Sequence, residues 1–208
     1  MARPQQALAL IEAHLQRTRE ADNPSQLLQM LYYKAWAHVE LRQWQAAEVA
    51  LVETQQLLQQ GAGQRNLKSL IESCWAELAL GRGDFALANQ HVDAALSLAG
   101  HTSDKPERAL VRILLLAADI ALAQAQPSAA QRYASEALRI GERVARNPNG
   151  SADVGESLIL LANAGAGVGP AAEQRKLLER ALRCLQASLY AEHPLVREAR
   201  ARLKHLES

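Results

Sequence analysis

The chain has 208 residues, a formal net charge of +1, 49% hydrophobic residues and only 4% aromatics, which fits one or two folded globular units and excludes a disordered or fibrous chain. Ala and Leu together fill 74 positions while Val, Ile and Thr fill 18, so residues that keep their rotamer freedom in a helix dominate and the expected fold class is all-α. A near-neutral balance gives no general pull toward nucleic acid or an anionic membrane, and the longest strongly apolar run, 113–118, stops at Asp119, short of the ~20 residues that cross a bilayer.

From the N-terminus, Arg3, Pro4, Gln5 and Gln6 precede a segment broken by Glu12 and His14, which is not the continuous apolar stretch of a secretory leader, so a cytoplasmic location is expected. Residues 4–20 predict one amphipathic helix with Ala7, Leu10, Ile11 and Leu15 on a face. No partner helix precedes it, so residues 1–24 read as an unpaired helix, either a native cap or the second half of a repeat in a longer chain.

Beyond it a pattern recurs. In Gly83-Asp84-Phe85-Ala86-Leu87-Ala88 a tight turn leads to an aromatic and then a small residue, and Ala95-Leu96 follows seven positions later. Upstream the corresponding places are held by Trp44, Ala47 and Thr54; downstream by Pro127, Ala130 and Ala137-Leu138, then by Gln174 and Ala181-Leu182. Ala47, Ala88, Ala130 and Gln174 are spaced 41, 42 and 44 positions apart, and a period of that size marks an array of helical units. Each turn is preceded by an apolar helix carrying Ala35, Ala76, Ala118 or Ala162, small residues that let two helix backbones approach as an antiparallel hairpin requires. The predicted first helices span about 25–43, 66–81, 106–125 and 153–167, and the second helices about 44–60, 84–99, 127–146 and 170–189, with Gly, Pro and Asn clusters between them. Ser25, Asp84, Ser151 and Asp153 are the expected N-caps, and Pro127 and Pro170 suit a first helical turn. At the end, Val196, Ala199, Leu203 and Leu206 form a narrow apolar stripe opposite Arg197, Arg200, Arg202 and Lys204, the pattern of a capping helix with a wet outer face.

The Gly83-Asp84-Phe85…Ala88…Ala95-Leu96 stretch resembles the motif of tetratricopeptide-repeat (TPR) proteins. The likeness covers residues 25–190 as four hairpins, with 191–208 as a C-terminal cap in a single domain. It is degenerate: the turn glycine is missing at Arg42, the aromatic at Pro127 and Ala171, and the small residue at Gln174. The long period and the Ala191-Glu192-His193-Pro194-Leu195-Val196 segment are similar to kinesin-light-chain-type arrays and to the TPR regions of bacterial serine/threonine kinases and maltose-activator-like regulators. The resemblance implies a right-handed α-solenoid of about ten helices. It also implies a scaffold or sensor role in a larger bacterial regulatory or signalling protein, or an effector-sensing domain that controls a linked kinase or DNA-binding domain.

Catalytic and cofactor chemistry finds no foothold in the sequence. His14, His38, His91, His101, His193 and His205 are scattered without metal-ligand spacing. The glycines of Gly165–Pro170 follow a helical pattern instead of a strand, unlike a phosphate loop. Cys74 and Cys184 read as buried thiols, and Trp75, Phe85 and Tyr133 as core aromatics. The expectation is a non-enzyme without cofactor or metal. The basic tail, Arg197 to Lys204, lacks interleaved aromatics, so no direct nucleic-acid contact is expected.

In stacked hairpins the first helices line the inner face. Helical spacing then predicts an inner lining of Gln29, Tyr32, Trp36 and Glu40, then Ser73 and Glu77, then Arg112 and Asp119, then Glu156 and Asn163. The lining is mainly acidic, and Tyr32 and Trp36 share a face beside carboxylates, which suits a peptide or protein segment that is basic or amphipathic. The competing expectation is that this aromatic pair simply packs against the core. A homodimer through the terminal helices is a further expected partner class.

Overall fold

The structure, a computed structural model, describes residues 4–21, 23–61, 65–100, 108–166 and 169–206. All regular elements among them are helical: α1 (Pro4–Glu20), α2 (Pro24–Glu40), α3 (Trp44–Gln59), α4 (Arg65–Gly81), α5 (Phe85–Gly100), α6 (Arg108–Ala123), α7 (Pro127–Val144), α8 (Ala152–Ala164), α9 (Ala171–Gln186) and α10 (Pro194–His205), with a single 3-10 turn at Pro148–Gly150. The expected breakers at 62–63, 101–106 and 167–168, including His101, lie outside the described residues. The chain divides into two compact units, Met1–Ser103 and Asp104–Ser208.

In the first unit α2 pairs with α3 and α4 with α5, while α2 and α4 also touch directly. The unit's core gathers Leu28, Ala35, Ala47, Leu51, Ile71, Cys74 and Leu78, and each fully buried Leu or Ile contributes about 2 kcal/mol of transfer free energy. The second unit repeats the scheme with α6–α7 and α8–α9, α6 touching α8, and α10 laid against α9. Its core includes Val154, Leu158, Leu178, Ala181, Leu185, Val196 and Ala199.

The small residues stand where the backbones meet. Ala35, Ala76, Ala118 and Ala162 on the first helices and Ala47, Ala88 and Ala130 on the second are all buried. Two glycines that the repeat pattern did not flag press the same constraint harder. A Cβ on Gly81 of α4 would collide with the Trp44 ring of α3. One on Gly155 of α8 would lie 2.6 Å from Leu185 Cγ and 3.2 Å from the Ala181 carbonyl of α9.

The hairpin turns share one geometry. Gln43 N–H donates to His38 O, Asp84 to Ala79 O and Gln126 to Ala121 O, at 2.9, 2.9 and 2.8 Å. In each turn the preceding residue is left-handed: Arg42 (φ 56°), Gly83 (φ 78°) and Ala125 (φ 54°). This is the Schellman closure, which satisfies the last carbonyls of the first helix. Glycine is therefore missing at Arg42 in sequence only, because the conformation persists. The fourth hairpin departs from this turn. There Gln174 replaces the small residue, and its Nε2 donates to Gly165 O at 2.9 Å, so an amide reaches across to a helix-end carbonyl.

Several local expectations need correction. Asn23, not Ser25, caps α2, its side chain accepting from Gln26 N–H. Asp153 lies inside α8 and binds Arg108 at 2.7 Å, while Ser151 provides the cap. Asp84 caps α5 as expected, accepting from Leu87 N–H. Pro170 sits at the N-cap of α9, one place before the first helical residue. On α1, Leu10 is 62% exposed while Leu15 and Thr18 are buried, because the inward stripe runs through Ile11, Leu15 and Thr18 at helical spacing. Phe85 is 38% exposed: α5 is the last helix of its unit, so this ring has no later helix of that unit to cover it, whereas Trp44 has α4.

Gly155→Ala should destabilise by about 1–3 kcal/mol, since buried Leu185 cannot yield. Gly141→Ala, whose Cβ would make ordinary contact with Val154 at 3.5 Å, should stabilise by up to about 1 kcal/mol; opposite shifts in urea midpoints check the pair. Ala125→Gly, which relieves a left-handed alanine, should raise the midpoint by an amount worth up to about 1 kcal/mol.

Candidate functional site

In the first unit the predicted lining is carried by α2 and α4. Gln29 is exposed and donates to the Tyr33 hydroxyl at 3.4 Å. Tyr32 and Trp36 are half-buried and rest on the core, and the Tyr32 ring lies 5.3 Å from that of Tyr33. Glu40 is exposed and Glu77 half-buried. The two carboxylates come from different helices yet act on one group: burial first, then the charges of Glu77 and Glu40, push the Cys74 thiol well above its ordinary range. Ser73 faces inward, its hydroxyl donating to Ser69 O and Leu70 O at 2.9 and 3.2 Å. It offers nothing at the surface. Trp36 and Tyr32 thus cover the core with one side and keep part of their surface for solvent, beside Glu40 one helical turn beyond Trp36.

In the second unit the lining comes from α6 and α8. Arg112 is exposed near the start of α6. Two turns on, Asp119 is held in a strongly acidic neighbourhood: burial first, then the charges of Glu156 and Glu198, raise its carboxyl from 3.8 to about 7. Asn163 of α8 donates its amide N–H to Glu198 Oε1 at 3.4 Å, and its Oδ1 is buried without a hydrogen-bond partner. Glu198 also accepts from Arg202 Nε at 3.0 Å. Asp119, Glu156 and Asn163 are therefore brought into one neighbourhood.

Glu198 was not foreseen. The apolar stripe of α10 suggested a cap whose polar residues are simply solvated, and a Glu with Arg four positions later looks like an ordinary surface pair. The signal was present in the period: Glu198 stands 42 positions after Glu156, as Asp119 does after Glu77.

Elsewhere, His91 Nδ1 lies 2.7 Å from Glu72 Oε2, and its ring stacks on half-buried Trp75 at 5.7 Å. Tyr133 is half-buried, with the Arg132 guanidinium 5.9 Å from its ring. Both cysteines are free and buried. Among the described residues no three His, Cys, Asp or Glu side chains converge as a metal cage, and no helix is long and apolar enough to cross a membrane. A cleft of about 380 Å³ opens between the starts of α7 and α9 and the end of α8, with Leu161 and Leu177 beside Ser128 and Gln131.

A carboxyl whose folded pKa lies above its unfolded value binds its proton more tightly in the folded state. Stability then falls as pH rises from about 4 to about 7 and is level above that. Asp119→Asn should remove this slope, gaining about 1–3 kcal/mol over wild type at neutral pH and little below pH 4 once partial solvent screening is allowed for. Chemical denaturation of both proteins across that range is the check.

No family model matches the sequence, and no curated protein matches it. Among solved structures the fold is similar to the crystal structure of BtubC (BKLC) from P. vanneervenii, with a TM-score of 0.71 and 17% identity, over 100% of this chain and 92% of that one. At that identity the likeness concerns fold alone, an all-α helical-repeat fold of the solenoid type, with ten α-helices among the described residues.

Proposed function

We propose that this protein is a non-catalytic protein–protein interaction module whose first-helix faces take a basic or amphipathic segment of a partner. The observation that carries this reading is the carboxylate trio of Asp119, Glu156 and Glu198, drawn from α6, α8 and the capping helix α10, in which burial first and then the other two charges raise the Asp119 carboxyl to about 7. Burial and like charges raise the cost of ionising the third carboxyl. An incoming Lys or Arg adds positive charge beside Asp119 and lets it ionise. In the first unit, Tyr32 and Trp36 beside Glu40 supply apolar ring surface next to negative charge, which suits the stem and head of a long cationic side chain. Membership in a larger regulatory or signalling protein rests on the family resemblance. The alternative effector-sensing role is supported by the cleft of about 380 Å³, which has the mixed polar and apolar walls of a small-molecule site.

A peptide alternating Lys and Leu is the direct probe. Its binding near neutral pH should release a proton, seen by calorimetry in buffers of different ionisation heat. Asp119→Asn should abolish the release and weaken binding roughly tenfold. Trp36→Ala should weaken it by about 2 kcal/mol if the ring anchors the ligand. Unchanged affinity in both variants refutes the reading. A thermal shift produced by small molecules, lost on Gln131→Leu, would favour the effector role instead.

A further inference from the structure

In the second unit the second helices carry the opposite charge from the first-helix site, and one cleft concentrates it. α7 and α9 hold seven basic and four acidic residues. Between α9 and the 3-10 turn at Pro148–Gly150 lies a cleft of about 470 Å³ lined by Asn149, Arg180, Arg183 and Cys184. Arg180 and Arg183 are three positions apart on α9 and so share a face. Arg180 is already paired with Glu142 of α7. Arg183 is exposed and makes no hydrogen bond or ion pair with any described residue, and the exposed Asn149 amide is equally unengaged.

The floor is not ionic. Cys184 is buried, its thiol directed at Pro148 O at 3.5 Å. Burial outweighs the pull of both guanidinium groups and raises its pKa, so it stays a neutral thiol and cancels neither charge. Two arginines against Glu142 leave one positive charge in the cleft. That matches a single carboxylate, whereas a phosphate dianion would leave one negative charge uncompensated.

We propose that the Arg180–Arg183–Asn149 cleft binds a carboxylate side chain of an acidic peptide segment, with the Arg183 guanidinium taking the oxygens and the Asn149 amide donating to one of them. A guanidinium fork fits a carboxylate in two parallel bonds. The basic excess along α7 and α9 extends the attraction to neighbouring acidic residues, which favours a segment over a free small acid. This site uses other helices and the opposite ligand charge from the first-helix reading, so either stands without the other.

The test is fluorescence anisotropy of a labelled oligoglutamate peptide with the full chain at near-physiological salt. Arg183→Gln should weaken binding roughly tenfold. Glu142→Gln, which removes the negative charge beside Arg180, should tighten it several-fold, and Asp119→Asn should leave it unchanged. Arg200→Gln on α10 serves as the equal-charge control and should change affinity less than about twofold. The Arg183 side chain is exposed and makes no hydrogen bond or ion pair with a described residue, so an unchanged melting temperature confirms that its variant is folded. Equal loss in Arg183→Gln and Arg200→Gln would reduce the effect to a diffuse field and overturn the site, as would weakening by Glu142→Gln or the absence of saturable binding. Displacement of the peptide by inorganic phosphate at lower concentration than by acetate would overturn the carboxylate assignment.

Discussion

The fold depends on how closely two helix backbones can approach. Ala35 and Ala47 in the first hairpin and Ala76 and Ala88 in the second are fully buried. At Gly81 and Gly155 even a methyl group would collide with a Trp or Leu from the neighbouring helix. At such separation the larger side chains no longer sit between the helices but to either side of the contact line, where they fill the space between successive hairpins. Leu28, Leu51, Ile71 and Leu78 occupy it in the first unit, and Val154, Leu158, Leu178 and Leu185 in the second. Small residues at the contact line are thus what permits one hairpin to meet the next.

Turn closure serves the same constraint. A hairpin whose helices lie this close needs a short connection that still satisfies the last carbonyls of its first helix. The left-handed residue at Arg42, Gly83 and Ala125 provides it three times over. That two of these positions hold a side chain shows the hydrogen-bond pattern outweighing the cost, on the order of 1 kcal/mol, of placing an L-residue there. Where the connection is longer, at Gly165–Pro170, the Gln174 amide takes over one carbonyl, which is why that position tolerates a residue larger than alanine.

The repeat was legible because its period is stamped by packing, and packing acts on residue size, which a sequence displays directly. Helix pairs, turn positions and buried alanines followed from it. What depended on the end of a unit was less visible. Phe85 has the motif's aromatic place but belongs to the last helix of its unit, which has no further helix to cover it, and Leu10 shares the expected apolar face of α1 although the buried stripe passes through Leu15 and Thr18. Ser73 had the right position for the lining, yet a hydroxyl in a helix readily turns back to carbonyls of its own preceding turn. Gly81 and Gly155 looked like a turn glycine and a chance one, since no spacing rule announces a collision with a ring from the helix before or a leucine from the helix after.

The acidic site shows why some of the electrostatics escaped as well. Asp119, Glu156 and Glu198 are far apart in the chain and belong to α6, α8 and α10, so their coupling exists only because α6 lies against α8 and Glu198 of the capping helix reaches Asn163 of α8. Within the second unit the repeat spacing that aligns small residues for contact also returns carboxylates at Glu156 and Glu198, 42 positions apart. Like charges in such a row repel more with each added repeat, and the fold bears that cost where the helices are already held by their cores. At Asp119 that repulsion adds to burial, and together they raise its carboxyl to about 7. The basic partner proposed for this face would relieve that repulsion by the same geometry that makes the array fold.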